Sequence, residues 1–280
     1  MDETDVNDLI DEVVGRLRRV SGVAAVVLGG SRARGTATRH SDIDLALYYT
    51  PEDPLDLETL QQVAQAVDDE HRLGVLTGIG GWGPWINGGG WLQVHGTPVD
   101  LLYRDVQQVT NWIQQCRVGT VSIAYQPGHP HGFLTSIYGA EVALCRILWD
   151  PHGIVETLKA QVTPYPGALK ETLIERFFGE ARFTLKTAHK GVPYADVAYV
   201  SGCCFRSISC LVQTLFALNE QYCMNEKGAV ALAATFPRVP PHLAERVMGA
   251  FTALTDDAES LQAAIQALEA LVEETASLLR

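Results

Sequence analysis

The chain has 280 residues, 47% hydrophobic and 19% charged, a composition that can bury a core and excludes a disordered polymer. Its formal net charge of -12 lacks the cationic footprint that grips a phosphate backbone, which disfavours duplex DNA and tRNA and favours a small or cationic acceptor. Six cysteines without C-x-x-C spacing, an acidic start unlike a signal peptide and no membrane-length apolar run predict a reduced, soluble, cytoplasmic protein.

In chain order, Val6, Leu9, Ile10, Val13, Val14 and Leu17 recur at helical spacing and predict an amphipathic helix ending near Gly22. Val23 to Leu28 reads as a buried strand stopped by Gly29 and Gly30, and Ile43 to Tyr49 as a second strand. Glu52, Asp53 and Asp56 are turn and helix-start acids before a helix from Leu57 to Val67. Leu73 to Ile79, Trp91 to Val94 and Val99 to Tyr103 predict further strands, the last two joined by Gly96-Thr97-Pro98. Between Gly78 and Trp91, the indoles Trp82, Trp85 and Trp91 stand among glycines, placed either to rim an acceptor site or to cap the sheet.

From about Asp105 the period becomes 3.6. Helices are expected at 105–117, 133–148, 168–189, 195–221, 241–254 and 256–279, separated by prolines. His129 and His131, flanking Pro130, fall in a loop and receive no role. The pattern divides the chain into an α/β domain at 1–105, a helical connector at 106–165 and a C-terminal helical bundle domain at 166–280.

The chemistry concentrates where the first strand ends. Gly29 and Gly30 allow close backbone approach, and with Ser31 at a helix start they offer N–H groups and a hydroxyl to phosphate oxygens. Asp42 and Asp44 open the next strand one residue apart. Alternation puts both on one face, where two carboxylates repel unless divalent cations lie between them. Taken singly, Asp-x-Asp reads as a solvated face and Gly-Gly-Ser as a turn.

Together, strand, Gly29-Gly30-Ser31, short helix and Asp42-Ile43-Asp44-Leu45 resemble the signature of the nucleotidyltransferase superfamily that includes DNA polymerase beta. The resemblance is strongest to its bacterial aminoglycoside and lincosamide branch. It implies a mixed-sheet α/β (α+β) catalytic domain at 1–105 and transfer of a nucleoside monophosphate from a nucleoside triphosphate, ATP foremost, to a hydroxyl of a small molecule such as an antibiotic. It also implies Mg²⁺, two ions, held by Asp42 and Asp44, and a third acid on a later strand that binds metal or takes the acceptor's proton. Asp100 fits that third position, while Asp105 reads as a helix cap. Gly29, Gly30 and Ser31 would hold the triphosphate. Lys227 is either a further phosphate contact or a lysine complementing a helix C-terminus. Arg32, Arg34 and Arg39 are near enough to offset phosphate charge, but each reads first as a solvated loop arginine. Two alternatives are a protein-adenylylating enzyme of the same fold and a non-catalytic nucleotide-sensing module.

Overall fold

In a computed structural model describing residues 3–280, the first apolar stripe forms α1 (Glu3–Leu17), packed on the sheet that follows. Next come β1 (Ala25–Leu28), the single turn α2 (Gly30–Ala33), β2 (Ile43–Tyr49), α3 (Leu57–Val67) and the short α4 (Gly83–Ile86). β3 (Gly89–Val94), β4 (Thr97–Asp105) and α5 (Val106–Arg117) precede a small hairpin of β5 (Ile123–Ala124) and β6 (Phe133–Leu134). α6 (Ser136–Leu144), β7 (Arg146–Trp149) and α7 (Ile154–Val162) follow. The remainder is α8 (Gly167–Ala188), α9 (Val197–Leu218), α10 (Ala229–Ala233), α11 (Leu243–Thr252) and α12 (Ala258–Leu278). Two units share the chain: one runs to Gln114 and resumes over Tyr138–Pro164, the other comprises Gln115–Ile137 and Tyr165–Arg280.

The first unit is built on a five-stranded mixed sheet in the order β3-β4-β2-β1-β7. Only β2 and β4 run parallel; the other neighbours are antiparallel. Alternation along β2 and β4 sends Ile43, Leu45, Leu47, Val99, Leu101 and Tyr103 into one core with the buried stripes of α1 and α3. The other face carries Asp44 and Asp100 at one end of the strands and Tyr48 and Arg104 further along. Arg104, 3% exposed, donates two hydrogen bonds at 2.6 and 2.7 Å to the Glu141 carboxylate on α6 and a third to the Ile86 carbonyl. One buried guanidinium thus ties β4 to α6 and to the Trp-rich turn.

Two expectations of secondary structure are corrected by long-range packing. Leu73 to Ile79 is not a strand: Leu73 is exposed, and the stretch makes one bridge, Leu76 to Gly90. A buried carboxylate turns the chain there instead, Asp68 accepting from the Arg72 backbone and guanidinium and from the Gln93 N–H. The helix expected at 133–148 is β6, α6 and β7 in turn. Ile147-Leu148-Trp149 is a short apolar run that helix and strand can both use, and pairing with the edge of β1 decides for strand. The segment 106–165 therefore contributes to both units. α7 was not expected, although Asp150 marks its start by accepting from the N–H groups of Ile154, Val155 and Glu156.

The second unit is helical apart from the hairpin, with α8, α9, α11 and α12 each turning an apolar face inward. The expectation of no membrane-length apolar run is also corrected. α9 is 22 residues long and, by length and composition, apolar enough to cross a membrane, with a mean hydropathy of 1.3 over an 18-residue window, and 67% of that window is buried inside the protein, as in a core helix. All six cysteines are free, and burial pushes Cys116 and Cys204 up to about 11 and Cys210 up to about 12, so these thiols stay protonated.

Candidate metal and phosphate site

β2 and β4 pair with Asp44 directly opposite Asp100, and residues in register point to the same face of a sheet. Asp42, one residue before β2, shares that parity. One carboxylate oxygen from each of Asp42, Asp44 and Asp100 lies within 4.8 Å of the others, and all three side chains are partly buried. At that spacing and an effective dielectric of about 20, each pair of charges repels by about 3 kcal/mol. Hard oxygen donors clustered in this way suit a divalent cation such as Mg²⁺.

The glycines have a more specific task than leaving room for phosphate. Gly30 has φ +60°, and a Cβ there would stand 1.7 Å from Asp44 Oδ2. The carboxylate occupies the space a side chain would need, so only glycine lets β1 end where it does. The Gly29 N–H donates to the Asp44 carbonyl at 2.8 Å, joining the glycine corner to β2. Ser31 follows in the first turn of α2, whose leading N–H groups have no partner within the helix itself. Gly29 and Gly30 therefore lie against Asp44, with Ser31 next in the chain.

Arg32 is not a solvated loop arginine but part of the loop's own framework. Its Nε donates to the Asp42 carbonyl at 2.9 Å and its terminal nitrogen to the Ser41 carbonyl at 2.5 Å, holding the approach to Asp42. Arg34 donates to the Gly30 carbonyl at 3.2 Å, and Arg39 contacts His40. Arg32 and Arg39 also line a polar cavity of about 440 Å³ together with Arg146 of β7. Arg146 escaped sequence reasoning because its segment reads as helix. Asp105 accepts from the Gln108 N–H at 3.0 Å and caps α5, as its position predicts.

The Trp-rich segment closes into a tight turn. Asn87, in the left-handed region, accepts from the Gly80 N–H and donates to the Tyr49 hydroxyl. Trp82 stacks on Trp91 with ring centroids 4.5 Å apart, and Trp91 is 60% exposed. Trp91 is the cross-strand partner of Asp100, so this indole pair flanks the carboxylates on their own face. Trp85 instead packs on Trp112. Lys227 belongs to the second unit, exposed before α10, and its assignment rests on the resemblance alone.

Residues 10–81 match the family model of the nucleotidyltransferase domain. That segment runs from α1 through the glycine corner, Asp42 and Asp44, and ends before β4, so Asp100 joins the site through strand pairing outside it. The mixed sheet with a helical C-terminal region agrees with the nucleotidyltransferase fold. Among solved structures, a nucleotidyltransferase-like protein from Exiguobacterium sibiricum 255-15 is similar over 98% of this chain and 77% of its own, at 10% identity and a TM-score of 0.42. The comparison with curated proteins gives no match.

Proposed function

We propose that this protein transfers a nucleoside monophosphate from a nucleoside triphosphate to a hydroxyl of a small molecule. The convergence of Asp42, Asp44 and Asp100 within 4.8 Å, beside a glycine whose missing side chain makes room for Asp44, carries this reading. Asp42 and Asp44 would hold Mg²⁺, with Asp100 as a third ligand or as the base that accepts the acceptor's proton. When bound, Mg²⁺ would neutralise triphosphate charge and orient its oxygens for in-line displacement with pyrophosphate leaving. Gly29, Gly30 and Ser31 would hold the phosphates, Gly30 and Ser31 through backbone N–H groups and the Ser31 hydroxyl and Gly29 by leaving room beside them, its own N–H being taken by the Asp44 carbonyl, and Arg32 fixes the loop on which Asp42 stands. The work asked of the protein is positioning and charge compensation.

The Trp82–Trp91 pair supports an acceptor with a flat ring or sugar face, since an exposed indole beside the carboxylates can stack against it. An aminoglycoside or lincosamide acceptor, the finer part of the proposal, suits an acidic protein and rests on the family resemblance. The deciding experiment incubates the protein with each nucleoside triphosphate and Mg²⁺ against aminoglycosides, lincosamides and hydroxylated metabolites, reading products by mass. A product heavier by one nucleoside monophosphate, absent with Asp44→Asn, supports the proposal; no such product with any triphosphate overturns it.

A further inference from the structure

The second unit contains a cavity of about 440 Å³ among α9, α10 and α11, within the size range of small-molecule sites. Phe205, Ile208 and Val212 of α9 and Val247 and Phe251 of α11 give it apolar walls, and His131, from the β5–β6 connection, is set into them. Met248, 65% exposed, marks the mouth.

His131 is an unusual wall. It is 5% exposed, and its Nδ1 is buried with no hydrogen-bond partner. The residue is nonetheless held firmly: its backbone N–H donates to Glu226 Oε1 at 2.8 Å, its ring packs on Phe177, and Nε2 lies 4.0 Å from the Cys210 thiol. Burial, the largest influence on this imidazole, lowers its basicity and keeps the ring neutral. A neutral ring has one donor nitrogen and one acceptor, and a thiol can meet Nε2 weakly in either role. The remaining nitrogen is then an unpaired donor or an unpaired acceptor, and unpaired buried polar groups are rare because they cost stability. A hydroxyl satisfies either tautomer. The walls are mostly apolar, and the one carboxylate in the lining, Glu226, already accepts from the His131 N–H and faces His129, so an ion is disfavoured, and the volume admits far more than one water.

We propose that this cavity binds a small, uncharged, mostly apolar molecule through one hydroxyl group that hydrogen-bonds to the His131 imidazole. Nδ1 is buried as the ring now stands, so binding requires the imidazole to turn about Cβ–Cγ, exchanging the weak Cys210 contact for the hydroxyl. The inference is independent of the nucleotidyl-transfer reading, since the cavity is lined wholly by the second unit.

The test titrates the full chain with 1-naphthol, and with 1-methylnaphthalene as a probe of similar shape without the hydroxyl, by calorimetry. The expected result is saturable naphthol binding, five- to tenfold tighter than methylnaphthalene. His131→Leu should remove that preference, and Ser209→Trp, which fills the cavity, should abolish binding of both. Circular dichroism checks that each variant folds. Should His131→Leu fail to fold, the hydroxyl preference of the unaltered protein and its loss in Ser209→Trp decide alone. No saturable naphthol binding, equal affinity for the two probes, or unchanged binding in Ser209→Trp overturns the proposal.

Discussion

At the scale of single residues, the carboxylate cluster and Gly30 are one device. Asp44→Asn keeps the shape of the side chain and removes a charged oxygen, so it should leave the melting temperature nearly unchanged while abolishing turnover and Mg²⁺ binding. Gly30→Ala should produce the same loss by another route, because its Cβ would stand 1.7 Å from Asp44 Oδ2 and displace the carboxylate. It should also cost about 1 kcal/mol or more, since alanine is strained at positive φ. Calorimetric Mg²⁺ titration of the two variants checks both; full Mg²⁺ affinity in Gly30→Ala would show that Asp44 does not depend on the glycine. Asp100 can be assigned by a second titration. If it is the base, Asp100→Asn should bind Mg²⁺ and nucleotide normally while turnover falls by roughly 10²–10⁴-fold. If it is a ligand, activity should partly return as Mg²⁺ is raised. Asp105→Asn is the control and should lose only a cap, about 0.5–2 kcal/mol of stability.

Among the elements, the turn after α3 shows how a buried charge replaces a strand. Asp68 is fully buried and accepts from Arg72 and from the Gln93 N–H, so it fastens α3 to β3. The Arg72 hydrogen bonds hold its carboxyl well below the usual carboxylate range, against the opposing effect of burial. Its folded pKa is therefore lower than its unfolded one. The stabilisation it supplies is complete above the unfolded value, about 4, and drains away as pH falls below that. Asp68→Asn should cost about 1.5–3 kcal/mol at pH 7, the range of hydrogen bonds to a charged group, and flatten the acid limb of the stability curve. Urea melts between neutral and strongly acidic pH measure this; parallel curves for the two proteins would rule out Asp68 as a source of the acid dependence. The indole stack is the other element with a measurable role. If Trp91 carries acceptor binding, Trp91→Ala should raise the acceptor KM about tenfold or more, since an aromatic stacking contact is worth roughly 1–3 kcal/mol, and leave nucleotide affinity alone. Steady-state kinetics with the acceptor found by the product screen give that split.

Across the whole molecule, the chain leaves the first unit after Gln114 and returns at Tyr138 to supply α6, β7 and α7. β7 covers the edge of β1, and α6 supplies the Glu141 partner of buried Arg104. A chain ending at Gln114 would expose an apolar strand edge and leave a guanidinium buried without its carboxylate, two independent sources of aggregation and instability. It should be insoluble or unfolded, whereas a chain ending at Pro164 retains the whole sheet and should be markedly better behaved. Solubility and near-ultraviolet circular dichroism of the two truncations test this. A well-folded product from the shorter one would mean that β7 and α6 are accessories to the sheet.

What the sequence determined by itself is what local periodicity and short-range chemistry can encode. The stripe of α1, the glycine stop after β1 and the one-residue spacing of Asp42 and Asp44 are all legible, as are the Asp105 and Asp56 caps. Each depends on neighbours within a few positions. Tertiary structure decided whatever depends on a partner distant in the chain. Asp100 meets Asp44 only because β4 pairs with β2 in that register, and a slip of one residue would turn it into the apolar core. Ile147 to Trp149 became strand because β1 had an open edge, and Leu73 to Ile79 lost its strand to the Asp68 turn. His131, a loop histidine by sequence, became a buried wall because α9 and Glu226 closed around it. Burial and register are set by long-range packing, which periodicity within one segment does not encode.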